Sequence, residues 1–244
     1  MVLCYQIKNN KINIVNDVFK NNRISTKYYL ESIKNFYQYL TGVNLTVSIY
    51  LCDNIPALSI SESKKIIFQT ALISLKDVAM YLYFPHEVFH QIIGNEVKFI
   101  GAGKIWMLES LTEYLQLLYI KHMNKRLYLK QLLYYLERYK KTVAYDIPIL
   151  SIDNNSTELN IKATIESRGV LIFLIYFNKI EEQKIQQFLT EMISIKNFTL
   201  SIFLELCKKI GVDSKKLFEE ISRTGNFRNL ENKINEVIVY EIDI

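Results

Sequence analysis

Eleven residues, Pro85-His86-Glu87-Val88-Phe89-His90-Gln91-Ile92-Ile93-Gly94-Asn95, constrain what this chain can become more than any other stretch. Proline is well accepted at a first helical position and glycine just past a helix end, so Pro85 and Gly94 bracket a short helix of about two and a half turns. Residues four apart on a helix share a face, so His86 and His90 present two imidazoles to one point, the spacing of zinc ligands. Glu87, beside the first histidine, is then placed to act as a general base on a water that attacks a carbonyl carbon.

Two histidines leave zinc short of ligands. Glu109, in Trp106-Met107-Leu108-Glu109-Ser110-Leu111-Thr112-Glu113-Tyr114, follows His90 after eighteen intervening residues, enough for a turn and the start of a second helix. Two histidines and one glutamate leave the fourth position open, as catalytic zinc requires. A purely structural site more often fills all four positions with protein ligands, and a non-catalytic zinc module has no use for Glu87. The rival reading, in which the histidines are merely packed on an amphipathic helix, is weighed against by the third ligand and its setting. His122, the chain's only other histidine, reads as a solvated residue near a helix C-terminus.

With these motifs in hand, the sequence resembles the gluzincin metallopeptidases, in the aminopeptidase N and leukotriene A4 hydrolase branch. His-Glu-x-x-His-Gln-x-x-Gly-Asn is matched by residues 86–95, the eighteen-residue gap is that branch's spacing, and Trp-x-x-Glu-x-x-x-x-Tyr is matched by Trp106, Glu109 and Tyr114. The resemblance implies a thermolysin-like α+β catalytic domain, with an N-terminal α/β lobe carrying a small sheet and a mainly helical C-terminal lobe. It also implies one Zn2+ per chain and hydrolysis of a peptide substrate, most simply as an aminopeptidase. An endopeptidase trimming one dedicated peptide or leader is the alternative.

The resemblance extends to weaker matches. Glu62 stands twenty-four positions before His86, where the branch has a Gly-Ala-Met-Glu-Asn segment whose glutamate binds the substrate's free α-amine. Only the glutamate is retained, and a solvated loop carboxylate is the other reading. Where the branch has Tyr-x-x-Gly, with a tyrosine that donates to the oxyanion, this chain has Glu166-Ser167-Arg168-Gly169. An ionised Glu166 cannot donate, which directs attention to Tyr145 and then Arg168 as substitutes. Glu113, one turn after Glu109, can accept from the second ring nitrogen of a ligand histidine, or serve as an exposed salt-bridging carboxylate. The segments 199–211 and 216–218 resemble the branch's closing helix pair.

Length and periodicity fill in the frame. With 244 residues the chain is expected to form a single catalytic domain with lobes of approximately 1–95 and 96–244. β-type segments are expected at 2–7, 11–15, 43–51 and 65–70, the last offering its edge to an extended substrate. A polar turn at Asn21-Asn22-Arg23 and an N-cap at Ser25 precede a helix to Leu40. Further helices are expected at 76–84, 104–123, 127–141, 163–180, 181–194 and 200–210. A long polar loop spans 142–160, and a late strand is expected within 233–244.

The net charge of +5 is spread along the chain. Basic and aromatic residues interleave at 130–141, but Leu132, Leu133, Leu136 and Tyr139 read as an ordinary buried face, so no nucleic-acid partner is expected. No apolar run is long enough to span a bilayer, and the opening Met1–Lys8 lacks a signal-peptide pattern. Cys4, Cys52 and Cys207 are too few and too scattered for a disulfide framework, which fits a cytoplasmic protein. Substrate, side-chain preference and oligomeric state are not written in these patterns.

Overall fold

Alternating apolar residues at the start of the chain build a strand pair. In the computed structural model, which describes residues 1–18, 26–75 and 79–243, β1 (Val2–Lys8) and β2 (Lys11–Ile14) form an antiparallel hairpin. The expected turn at Asn21–Arg23 and cap at Ser25 lie outside the described residues. α1 (Thr26–Thr41) buries Tyr29, Ile33, Phe36 and Leu40, the set its helical spacing predicts. β3 (Val47–Cys52) buries Val47, Ile49 and Leu51 on one face, while Val43, expected within it, lies outside and exposed.

β4 (Ser59–Glu62) and β5 (Lys65–Gln69) follow as a second hairpin, turned at Ser63 and Lys64, with Lys64 at φ 59°. The five strands lie in the order β2-β1-β3-β5-β4, with β3 and β5 parallel. This corrects the expectation that residues 65–70 form an open edge. β5 is paired on both sides, and β4 holds the edge instead. Four residues, two of them serine, are too short and too polar to announce a strand by alternation.

The expected helix at 76–84 is replaced in part by a π-helical turn at Ala79–Tyr83, and residues 76–78 are outside the described set. That turn runs directly into α2 (Phe84–Phe89), which carries the histidine motif. Its apolar side anchors it. Phe84 stacks on Phe68 of β5 at 4.8 Å between ring centroids, and Phe89 lies edge-on to Phe36 of α1 at 6.4 Å. Burying two phenylalanine rings contributes about 1.5–3 kcal/mol each, so the motif helix is held by the core of this unit, Met1–Glu96.

The second unit, Val97–Ile244, is mainly helical. β6 (Lys98–Ile100) leads to α3 (Lys104–Met123), α4 (Lys125–Thr142), α5 (Glu158–Ala163), α6 (Val170–Phe177) and α7 (Glu182–Ile193). After β7 (Asn197–Thr199), which pairs parallel with β6, come α8 (Leu200–Lys209), α9 (Ser214–Ile221) and α10 (Phe227–Asp243). The single helix expected from Ala163 is broken by a π-helical turn at Thr164–Gly169. The expected loop at 142–160 contains two short 3-10 turns, Val143–Tyr145 and Ile149–Ser151.

Gly169 explains how closely α3 and that turn approach. Trp106 Nε1 donates to its carbonyl at 3.2 Å, and a Cβ added at Gly169 would lie 2.3 Å from Ser110 Oγ and 2.8 Å from Trp106 Cδ1. Trp106 and Tyr114 both stack on Phe173 of α6, at 4.9 and 5.7 Å. On α4, Leu133 is half exposed and Tyr135 buried, reversing part of the expected face. The tail is the larger correction, since residues 233–243 are helix and not strand. Leu230, Ile234, Val237 and Glu241 are buried at helical spacing, and the β-branched run around Val237 and Val239 concealed that period.

Candidate metal centre

His86 and His90 sit one helical turn apart, as their spacing predicts. α2 ends at Phe89, but His90 keeps helical φ and ψ (−62°, −15°) and its N–H bonds to His86 O at 3.2 Å, so the two rings stay on one face. The chain then turns away at Gly94, whose φ of 100° lies in the region that favours glycine. The two Nε2 atoms lie 3.0 Å apart. Two nitrogens bound tetrahedrally at about 2.0–2.1 Å from one zinc would be separated by roughly 3.3 Å, so the pair is set close to what such an ion needs.

The Ile93 carbonyl, 3.0 Å from His90 Nδ1, fixes the remaining freedom of that ring. A carbonyl only accepts, so Nδ1 carries the proton there, and in the neutral ring Nε2 is the lone-pair nitrogen. Among the described residues, His86, His90 and Glu109 form a set able to hold a metal ion, with one ligand atom from each lying within 4.8 Å of the others. Two imidazole nitrogens and one carboxylate oxygen are a zinc donor set, and the residues therefore fit the ion. Glu109 owes its position on α3 to the buried Trp106 and Tyr114 on either side of it.

Glu87 is buried, at 6% exposure, and its side chain is held from outside its own helix. Ser59 Oγ of β4 donates to Glu87 Oε1 at 2.7 Å, and Ser61 Oγ donates to the Glu87 carbonyl at 3.0 Å. Gln91 completes the link. Its Oε1 accepts from Lys64 N at 2.7 Å, and its Nε2 donates to Ser61 Oγ at 2.6 Å and to Glu62 O at 3.0 Å. Asn95 Nδ2 adds a 3.4 Å contact to Ser61 Oγ. Residues 91 and 95 of the motif thus dock the β4–β5 hairpin onto the histidine segment, a role that sequence reading leaves unassigned.

Glu62 is at the end of β4, with its side chain 55% exposed and Oε2 3.1 Å from Lys65 Nζ. Glu113 accepts a hydrogen bond from the buried Tyr135 hydroxyl, whose ionisation burial and then Glu113 push well above the ordinary range. Glu166 lies on the π-helical turn and pairs with Arg138. Tyr145 is 46% exposed at the end of its 3-10 turn. His122 is exposed in the last turn of α3.

Arg168 corrects an expectation. Its side chain is wholly buried, with Nε on Asp146 Oδ1 at 2.9 Å, Nη1 on Glu220 O at 3.1 Å and Nη2 on Ile147 O at 2.8 Å. Asp146 also accepts from Tyr139, Thr164 and the Gly225 N–H. Arg168 is therefore the cation of a core ion pair and not a donor directed at a reacting group.

No family model matches the chain, and no curated protein matches it. Among solved structures it is similar to an M1 zinc metallopeptidase from Deinococcus radiodurans, a glutamate-to-alanine mutant bound to a Tyr-Ser-Ala substrate, with a TM-score of 0.67 at 13% identity. The match covers 92% of this chain and 51% of that one, so the chain spans about half the length of its structural relative. No helix among the described residues is long and apolar enough to cross a membrane. The mixed α/β fold, with its small sheet and many helices, is similar to that of this solved structure over the matched region.

Proposed function

We propose that this chain is a zinc-dependent peptidase with a thermolysin-like catalytic domain, in which His86, His90 and Glu109 hold the ion and Glu87 is the general base. The observation that carries this reading is the convergence of three ligand atoms of zinc-binding type, with a buried glutamate next to the first. Zinc, when bound, polarises the scissile carbonyl and makes water a stronger nucleophile. Glu87 accepts the water's proton and returns it to the leaving amine. Glu113 stabilises the ligand arrangement, and the Tyr145 hydroxyl is the donor for the oxyanion in place of the family tyrosine. Free Cys4, Cys52 and Cys207 support a reducing, cytoplasmic setting.

Aminopeptidase action, with Glu62 binding the substrate's α-amine, is the specific form proposed. A second reading, endopeptidase, is favoured by one observation: Ser59 and Ser61 of β4 both bond Glu87, so strand alternation turns Glu62 toward the other side of the strand. Purified protein loaded with zinc and presented with an undirected peptide library, cut positions being read by mass spectrometry, tests both. Loss of N-terminal residues supports the first and internal cuts the second. Glu87→Gln should keep one zinc per chain while turnover falls about 10²- to 10⁴-fold, the usual range for a general base. A fully active Glu87→Gln protein overturns the mechanism.

A further inference from the structure

We propose that Ser59 is a positioning residue for the reaction, holding one oxygen of the Glu87 carboxylate so that the other faces the water. The inference rests on the peptidase reading and adds a residue to it. A glutamate side chain turns about three torsions, and its helix fixes none of the outer ones. The 2.7 Å bond from Ser59 Oγ to Oε1 restrains them from a second element, β4. A serine hydroxyl has a single proton, and a carboxylate without one can only accept, so the direction of this bond is fixed.

The restraint is only as good as the position of Ser59, and that is fixed from several sides. Ser59 pairs with Phe68 across the hairpin, and strand alternation puts Ser61 on the same face two residues on. Ser61 donates to the Glu87 carbonyl while accepting from Gln91 and Asn95, which accounts for its proton and both lone pairs. Gln91, oriented by the Lys64 N–H, closes the hairpin turn onto the segment that follows α2. One strand thus grips Glu87 at its backbone and at its carboxylate. The grip on the backbone orders the helix, and the grip on the carboxylate selects a rotamer.

Ser59→Ala, Ser59→Thr and Ser61→Ala are compared with the unaltered full chain, each with zinc content measured, using a peptide that the library assay shows to be cut. Ser59→Ala should lower kcat about ten- to a hundredfold, the usual cost of losing a group that orients a reacting residue, with KM and zinc content unchanged. Ser59→Thr, which keeps the hydroxyl, should recover most of the loss. Crystal structures give a readout independent of turnover. The Glu87 carboxylate should leave its wild-type rotamer in Ser59→Ala and keep it in Ser61→Ala. An unmoved carboxylate, a kcat within twofold of wild type, or an equal kcat loss in Ser61→Ala overturns the proposal. If the unaltered protein cuts nothing, the peptidase reading fails instead, while the rotamer comparison still decides whether Ser59 positions Glu87.

Discussion

Removing the Arg168 guanidinium should destabilise the second unit. Arg168→Met keeps most of the side chain's length and deletes three donors at once: the charged contact to Asp146 at 2.9 Å and those to the Glu220 and Ile147 carbonyls at 3.1 and 2.8 Å. The Asp146 side chain, 2% exposed, would keep, among the described residues, the neutral donors Tyr139, Thr164 and the Gly225 N–H. Breaking a buried ion pair from one side costs about 3–5 kcal/mol. A domain's whole stability is about 5–15 kcal/mol, so this is a large share of it. At roughly 2–4 °C per kcal/mol for a chain of this size, the melting temperature should fall by on the order of 10 °C. Asp146→Asn should also destabilise, and the double mutant should lose less than the two singles together, because each single leaves a buried group that the double removes. Urea and thermal unfolding followed by circular dichroism measure all three. A loss under about 1 kcal/mol in Arg168→Met would refute the reasoning and return Arg168 to consideration as a donor for the reaction.

Three further outcomes are expected. Gly169→Ala places a Cβ 2.3 Å from Ser110 Oγ and 2.8 Å from Trp106 Cδ1, so overpacking should lower stability by about 1–3 kcal/mol, and an unchanged urea midpoint would remove the close approach as the reason for glycine. Burial holds Tyr114, Tyr128, Tyr135 and Tyr139 protonated above the ordinary tyrosine range. Above about pH 10 the unfolded chain releases those protons first and binds fewer than the folded one, so stability present below pH 10 should decline as pH rises further, and a flat profile from pH 9 to 11 would contradict this. Tyr145→Phe should lower kcat at least tenfold with zinc content unchanged, since the lost contact forms mainly in the transition state; equal turnover leaves the oxyanion to another group.

The parts of the molecule visible in its sequence are those where one period or one spacing dominates. α1 declares itself through apolar residues at helical intervals, and the histidine segment through an i, i+4 pair bracketed by proline and glycine. β4 is hidden because its pairing partner, not its own four residues, makes it a strand. α10 is misread because the β-branched Val237 and Val239 satisfy a strand template locally, while Leu230 and Glu241, which extend the helical phase of Ile234 and Val237, lie at its ends. Arg168 is misplaced for a different reason. A buried cation is rare, and only the long-range arrival of Asp146, the Glu220 carbonyl and Gly225 makes its burial affordable. Gln91 and Asn95 were visible as motif letters, yet their role depends on a hairpin that the sequence does not reveal.

That hairpin also bears on which kind of peptidase this is. Surface pairs such as Glu62 with Lys65 contribute about 0–1 kcal/mol, and an incoming α-amine competes with Lys65 on nearly equal terms. The pairing therefore does not exclude Glu62 from binding substrate. Strand geometry weighs more. Ser59 and Ser61 both reach Glu87, so alternation turns Ile60 and Glu62 toward the opposite side of β4 from the proposed base. For Glu62 to hold the N-terminus of a substrate being cut at Glu87, the end of β4 must twist or the amine must pass around the strand. Acetylating the N-terminus of a cleaved peptide separates the cases. An α-amine anchor predicts a sharp loss of cleavage that Glu62→Ala abolishes, whereas equal cutting of free and acetylated peptides makes Glu62 a solvated strand-end carboxylate and the enzyme an endopeptidase.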